Sequence, residues 1–168
     1  MLIVLRGNSG SGKSTIARLL RDHLPRPSAI IEQDNFRRHI YAEREPDTAH
    51  QELIEDAVLS CLRRGHPVVL EGIFSAPSYQ RMLERLAKAA TLAHFFAFDL
   101  SLEETLRRHQ HRPQALEFGE EKMTAWYHGW QPLDFVTEHR IGADETAEQI
   151  VSRILLTCGL STENTAAS

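Results

Sequence analysis

The chain is poor in cysteine, lysine and aromatic residues, and no hydrophobic run approaches the length of a membrane span. Its two cysteines, Cys61 and Cys158, lie far apart, each within a helical pattern. That excludes a disulfide framework or a CxxC metal pair and fits two reduced thiols in the core. The opening apolar stretch stops at Arg6, too short for a signal peptide, so a soluble cytoplasmic protein without a membrane partner is expected. A formal charge of −4 and a pI near 6.1 supply no general field for a nucleic acid backbone, which would need a local patch. Nine histidines are scattered without the HxxxH or Cys/His spacing of a metal site, and are expected mostly on the surface. There are no internal repeats. A length of 168 residues with 42% hydrophobic content suffices for one α/β domain and not for two.

What is present starts at once. Residues Gly7 to Thr15 read GNSGSGKST directly behind the apolar run Met1–Leu5. This is the Walker A phosphate loop, and its residue types follow from its chemistry. Gly7, Gly10 and Gly12 let the backbone curl so that successive N–H groups point at phosphate oxygens. Lys13 reaches the β- and γ-phosphates, and the Ser14 hydroxyl is the expected Mg²⁺ ligand. The expected nucleotide-binding set is therefore Asn8, Ser9, Gly10, Ser11, Gly12, Lys13, Ser14 and Thr15. Ile16, Leu19, Leu20 and Leu24 recur at helical spacing and supply the helix that must follow the loop.

Strand-length apolar runs at Met1–Leu5, Ala29–Ile31, Pro67–Leu70, Ala93–Leu100 and near Val136–Ile141 alternate with helical patterns. The helices are expected at Lys13–His23, Thr48–Arg64, Ser78–Ala89, Leu102–His111, Glu120–Gly129 and Glu145–Cys158. Continuous rather than alternating apolar runs point to parallel strands buried on both faces. The expected fold is an α/β P-loop three-layer sandwich on a five-stranded parallel sheet, with one domain over residues 1–160 and a helical lid over about 101–130. The small polar tail 161–168 is expected to be disordered.

In such sheets ligands lie beyond the C-terminal strand ends. The chain has no NKxD for guanine and no LSGGQ-type signature. The third strand ends Glu71-Gly72, without the second carboxylate that usually orients water in ATPases, so a phosphoryl acceptor supplied by a substrate fits better. After the second strand comes Asp34-Asn35-Phe36-Arg37, about twenty residues past Lys13. Asp34 at that strand end can take a proton from a substrate hydroxyl as it attacks phosphorus, or cap the short helix that starts at Asn35. After the fourth strand, Ser101 caps a helix that Pro113 ends, with Arg108 and Arg112 on one face. Two guanidinium groups there can close over a triphosphate; the competing arrangement is a solvated helix with Glu103–Arg107 and Glu104–Arg108 pairs.

On these residues the chain resembles the small P-loop kinases grouped with polynucleotide 5′-kinase, chloramphenicol phosphotransferase and the zeta-toxin kinases. The shared features are the phosphate loop, Asp34-Asn35-Phe36-Arg37 after the second strand, and lid arginines four apart, Arg108 and Arg112. The resemblance covers roughly Met1 to Leu156. It implies an ATP- and Mg²⁺-dependent phosphotransferase with Asp34 as general base, Arg37 on the acceptor or its phosphate, and Arg108 and Arg112 stabilising the transition state. The adenine is expected near Arg108 and the loop Ile141–Asp144. Glu71 stands where many members carry Asp, and with Arg37 is expected to line the acceptor pocket.

The expected partner is a small molecule with a hydroxyl group, an antibiotic, nucleoside or sugar. A polynucleotide 5′-hydroxyl and a non-catalytic, ATP-dependent regulatory module are the alternatives. The segment Leu116–Pro132 holds both tryptophans, and Trp126 and Trp130 are placed four apart on one helix face. They are expected either to pack the lid-side helix onto the core or to stack on a ligand ring.

Overall fold

Leu2, Ile3, Val4 and Leu5 are each at most 1% exposed, because both faces of the strand they form are covered. This strand, β1 (Leu2–Gly7), lies at the centre of the sheet. In the structure, a computed structural model that describes residues 1–41, 49–110 and 119–161, it is followed by α1 (Lys13–Arg21) and β2 (Ala29–Glu32). Next come α2 (Ala49–Arg63), β3 (Val68–Gly72), α3 (Ala76–Ala89) and β4 (Ala93–Phe98). The last elements are α4 (Leu102–His109), α5 (Glu120–Trp126), β5 (His139–Ile141) and α6 (Ala147–Thr157). All strand pairs are parallel, in the order β2-β3-β1-β4-β5. The expected five-stranded parallel α/β fold is thus the observed one.

The period-two alternation of β1 divides the core. Ile3 and Leu5 face α1 and α6 through Ile16, Leu20, Ile150 and Ile154. Leu2 and Val4 face α2 and α3 through Ile54, Val58, Leu83 and Leu86. Each such side chain contributes about 1.5–3 kcal/mol by leaving water, so the two layers clamp the sheet from opposite sides.

Several boundaries differ from expectation. β5 is only three residues long, preceded by Glu138, which pairs with Arg6, whereas β3 ends at Gly72 as expected, with Glu71 within the sheet. α5 ends at Trp126, where Tyr127 becomes extended (φ −75°, ψ 125°), rather than at Gly129. Between β2 and α2, Asn35–Ile40 form a π-helical turn: the Tyr41 N–H donates to the Phe36 carbonyl, five residues back, at 3.1 Å. Such widened turns recur at functional sites. Thr48, His111, Arg112 and Pro113 of the expected helices, Leu116 to Phe118 of the aromatic segment, and 162–168 of the expected tail lie outside the described residues. No described helix is long and apolar enough to cross a membrane.

Candidate active site

The strand ends converge on the phosphate loop. Gly12 stands at the N-terminus of α1, so the first N–H groups of that helix open onto the loop. Lys13 is buried, and its Nζ donates to the Asn8 carbonyl at 2.9 Å and to Ser11 Oγ at 3.2 Å. Gly10 is obligatory on two counts: its φ is +80°, and a Cβ there would sit 2.7 Å from the Thr105 carbonyl of α4. The helix that carries the arginines is thereby pressed directly against the loop.

Arg108 extends from α4 across that contact. Its Nη1 donates to the Ser11 carbonyl at 3.2 Å, its Nη2 to the Ala143 carbonyl at 3.2 Å, and its Nε to Glu104 at 2.5 Å. It forms one wall of a cleft of about 220 Å³ with Gly10, Gly12, Lys13, Ser14 and Thr15. Arg108 therefore makes the expected Glu104 pair and a contact to the phosphate loop at once. Arg107 pairs with Glu104 at 2.7 Å, not with Glu103. Hydrogen bonds from Arg107 and then Arg108 pull the Glu104 carboxyl down to about 2. Arg112, the expected partner of Arg108, lies outside the described residues.

On the other side of Lys13, Ser14 Oγ donates to Glu71 Oε1 at 2.9 Å. Glu71 is 5% exposed, and burial raises its pKa against the opposing pull of Lys13 and the Ser14 hydrogen bond; Glu32 and Asp34 add to the rise. Lys13, Ser14, Asp34, Arg38 and Glu71 line one small cleft. Glu71 lines this cleft and does not line the larger pocket beside it. Asp34 pairs with Arg38 at 3.6 Å and makes no capping hydrogen bond to the turn that follows, which corrects the capping alternative.

That larger pocket, about 370 Å³, adjoins the small cleft and shares Gln33, Arg38 and Ile73 with it. Arg37, Tyr79, Trp126 and His128 complete most of its wall. Gln33 is locked: its Oε1 accepts from the Ile73 N–H at 2.8 Å and its Nε2 donates to the Tyr79 hydroxyl at 2.6 Å. That hydroxyl also lies 2.6 Å from His50 Nε2. Gly72 makes room for Gln33, since a Cβ on it would fall 2.7 Å from the Gln33 Cβ. Burial lowers the His128 pKa, with Arg6 and Lys13 adding to the effect. Asn8 ties this pocket to the phosphate loop: its Oδ1 accepts from the His128 N–H at 3.1 Å and its Nδ2 donates to the Gly129 carbonyl at 3.2 Å.

Three expectations need correction. Trp126 and Trp130 do not share a helix face, because α5 stops at Trp126, and at 41% and 39% exposure neither packs into the core. Trp126 lines the larger pocket, while Trp130 stacks under the Arg140 guanidinium at 4.2 Å. His50 and His109 are buried at 2% exposure rather than on the surface. Arg38, Gln33 and Tyr79 were not singled out by the sequence; the i,i+4 spacing of Asp34 and Arg38 was the one available signal.

Residues 2–130 match the family described as AAA domain. No curated protein matches the chain significantly. Among solved structures, an APS kinase from Mycobacterium tuberculosis in complex with AMPPNP and APS aligns with a TM-score of 0.71 at 18% identity, covering 94% of this chain and 96% of that one. A tunicamycin resistance protein from Deinococcus radiodurans aligns with a TM-score of 0.67 at 18% identity, over 95% and 96% of the two chains. A gluconokinase from Sinorhizobium meliloti gives 0.62 at 20% identity, over 94% and 90%. At these identities the likeness is one of fold.

Proposed function

As the chain belongs to the AAA domain family and has the fold of the small P-loop kinases, we propose that it is an ATP- and Mg²⁺-dependent phosphotransferase that moves the γ-phosphate to a hydroxyl of a small molecule. The observation that carries this reading is the cleft lined by Lys13, Ser14, Asp34 and Glu71, which shares Gln33, Arg38 and Ile73 with a second pocket of about 370 Å³, large enough for a second molecule. A nucleotide-only switch would not need that pocket.

Lys13 and the N–H groups that lead into α1 hold the phosphates, and Arg108 stands where charge grows on the transferring group. The residues also fit the metal: Ser14 Oγ, backed by Glu71, is a hard oxygen donor, and no cluster of three His, Cys, Asp or Glu side chains among the described residues offers a protein cage. Mg²⁺ bound at Ser14 supplies neutralisation of phosphate charge. Asp34 takes the proton of the acceptor hydroxyl as its oxygen bonds to the γ-phosphorus. The bond from that phosphorus to the β,γ-bridging oxygen breaks, and ADP leaves with the electron pair.

Asp34→Asn tests the reading. The variant is expected to bind ATP within a few-fold of the parent and to lose acceptor-dependent turnover by about 10²–10⁴-fold, measured by ATP consumption against a panel of nucleosides, sugars and antibiotics. Near-normal turnover would remove Asp34 as the base.

A further inference from the structure

His128 lies just past the end of α5, and the phosphate loop fixes its place: its N–H donates to Asn8 Oδ1 at 3.1 Å, and the Gly129 carbonyl accepts from Asn8 Nδ2 at 3.2 Å. Its ring lines the larger pocket. Nδ1 stands 3.0 Å from the Gly129 carbonyl, and a carbonyl can only accept, so Nδ1 carries the ring hydrogen. Burial, with Arg6 and Lys13 adding to it, favours the neutral ring. Nε2 then holds a bare lone pair. That atom is shut off from water and, among the described residues, has no hydrogen-bond partner. An acceptor left dry and unpaired is costly, and most such groups in folded proteins are satisfied. Its polar neighbours on the pocket wall are of another kind. The Gln33 amide oxygen is taken up by the Ile73 N–H, its Nε2 donates to the Tyr79 hydroxyl, and guanidinium groups such as those of Arg37 and Arg38 can only donate.

We propose that His128 Nε2 accepts a hydrogen bond from a second hydroxyl of the phosphoryl acceptor and so decides which hydroxyl of that molecule meets Asp34. The proposal deepens the phosphotransferase reading and rests on it for the bound compound's role. The acceptor is then a polyhydroxyl compound, because one hydroxyl reacts in the cleft lined by Asp34 while another is held in the adjoining pocket. Asn8 belongs to the loop that cradles Lys13, so the pinning of His128 to Asn8 gauges the span between the two hydroxyls against the phosphates. A hydroxyl reaches Nε2 from the pocket by a side-chain adjustment of the kind common on binding. A compound without the second hydroxyl leaves the lone pair unsatisfied, which is how a polar site rejects an analogue that lacks one group.

The test uses the full chain with isotopically labelled histidine rings, observed by nitrogen NMR at neutral pH, the His128 signals being those missing from His128→Gln or His128→Phe. Nδ1 is expected to carry the hydrogen and Nε2 to be bare. Glucose, uridine and chloramphenicol are each added up to about 10 mM, and at least one is expected to move the Nε2 signal more than the Nδ1 signal. The same three compounds are then offered with Mg²⁺ and ATP to the parent and to both variants. Both variants lose the Nδ1 hydrogen bond, but only His128→Gln restores an acceptor atom near the place of Nε2. For the compound that moved Nε2, kcat/KM is therefore expected to fall about tenfold or more in His128→Phe and to recover in His128→Gln, with KM for ATP unchanged in both. A hydrogen on Nε2, no movement of its signal with any of the three compounds, or equal kcat/KM in His128→Phe and His128→Gln would overturn the proposal. Movement of Nε2 without turnover of any compound would count against the kinase reading and leave the hydrogen-bond site standing. Turnover of a compound that leaves Nε2 unmoved would do the reverse.

Discussion

A carboxylate kept from water beside a serine hydroxyl is costly to ionise, and Glu71 is in that position. Burial raises its pKa more than Lys13 and Ser14 lower it. The folded state therefore binds a proton more readily than the unfolded chain, and stability falls as pH climbs from the ordinary value of 4.5 through the raised folded value. Glu71→Gln keeps the acceptor oxygen for Ser14 and removes the charge. Its gain in Tm over the parent is expected to widen from pH 4.5 to pH 8 while turnover falls, a trade common at functional sites. A Tm difference that stays constant with pH, in thermal melts across that range, would show that ionisation of Glu71 carries no such cost. The sequence located this residue at a strand end but not which neighbour it meets, because its contact with Ser14 is made across the sheet, 57 residues apart in the chain. Trp126 was similarly open: its spacing from Trp130 fitted a helix, and only the extended turn at Tyr127 separates the two rings.

At the level of elements, local chemistry was legible where caps and periodicity agree. Ser101 Oγ accepts from the Glu104 N–H at 3.2 Å and starts α4 where the sequence placed it. On α6 Thr146 and Gln149 form a reciprocal capping box, with bonds of 3.3 and 2.9 Å, and the helix starts at Ala147, two residues after the expected Glu145. That helix buries Ile150, Val151, Ile154 and Leu155 in the same layer as Ile16 and Leu20 of α1, whose own start is the phosphate loop. Loss of the cap should therefore reach stability without touching the cleft. Thr146→Ala is expected to cost about 1 kcal/mol in urea unfolding and to leave ATP affinity unchanged; weaker ATP binding would mean that the layer beneath α1 transmits strain to the loop. The π-helical turn was not legible, since nothing in Asn35–Ile40 distinguishes a five-residue from a four-residue bond, yet it carries Arg37 and Arg38.

The whole molecule is closed by an interaction that composition could not suggest. Arg6, on the central strand, is 2% exposed and meets both oxygens of Glu138 at 3.1 Å, 132 residues away. Its other nitrogen donates to the Gln131 carbonyl at 2.5 Å, and Glu138 also accepts from the Leu133 N–H at 3.1 Å. The connection between α5 and β5 is thus anchored to β1, and with it the return of the chain past Trp126 and His128. Burial lowers the Arg6 pKa, and Glu138 offsets that only in part, so the buried guanidinium relies on its carboxylate partner. Glu138→Ala leaves a buried guanidinium without its carboxylate and is expected to cost about 3–5 kcal/mol, whereas Arg6→Met with Glu138→Leu should recover most of it, because an apolar pair carries no desolvation cost. Urea unfolding of the single and double variants decides this. If the anchor acts as the geometry implies, the single variant will also lose affinity at the Trp126 pocket before it loses ATP binding, since the phosphate loop is held by α1 and β1 while the wall carrying Trp126 lies on the anchored connection and is otherwise tied by single hydrogen bonds, among them those of Asn8 and of Tyr127 to the Leu100 carbonyl. A loss below about 1 kcal/mol would assign the closure of the fold to the apolar layers alone.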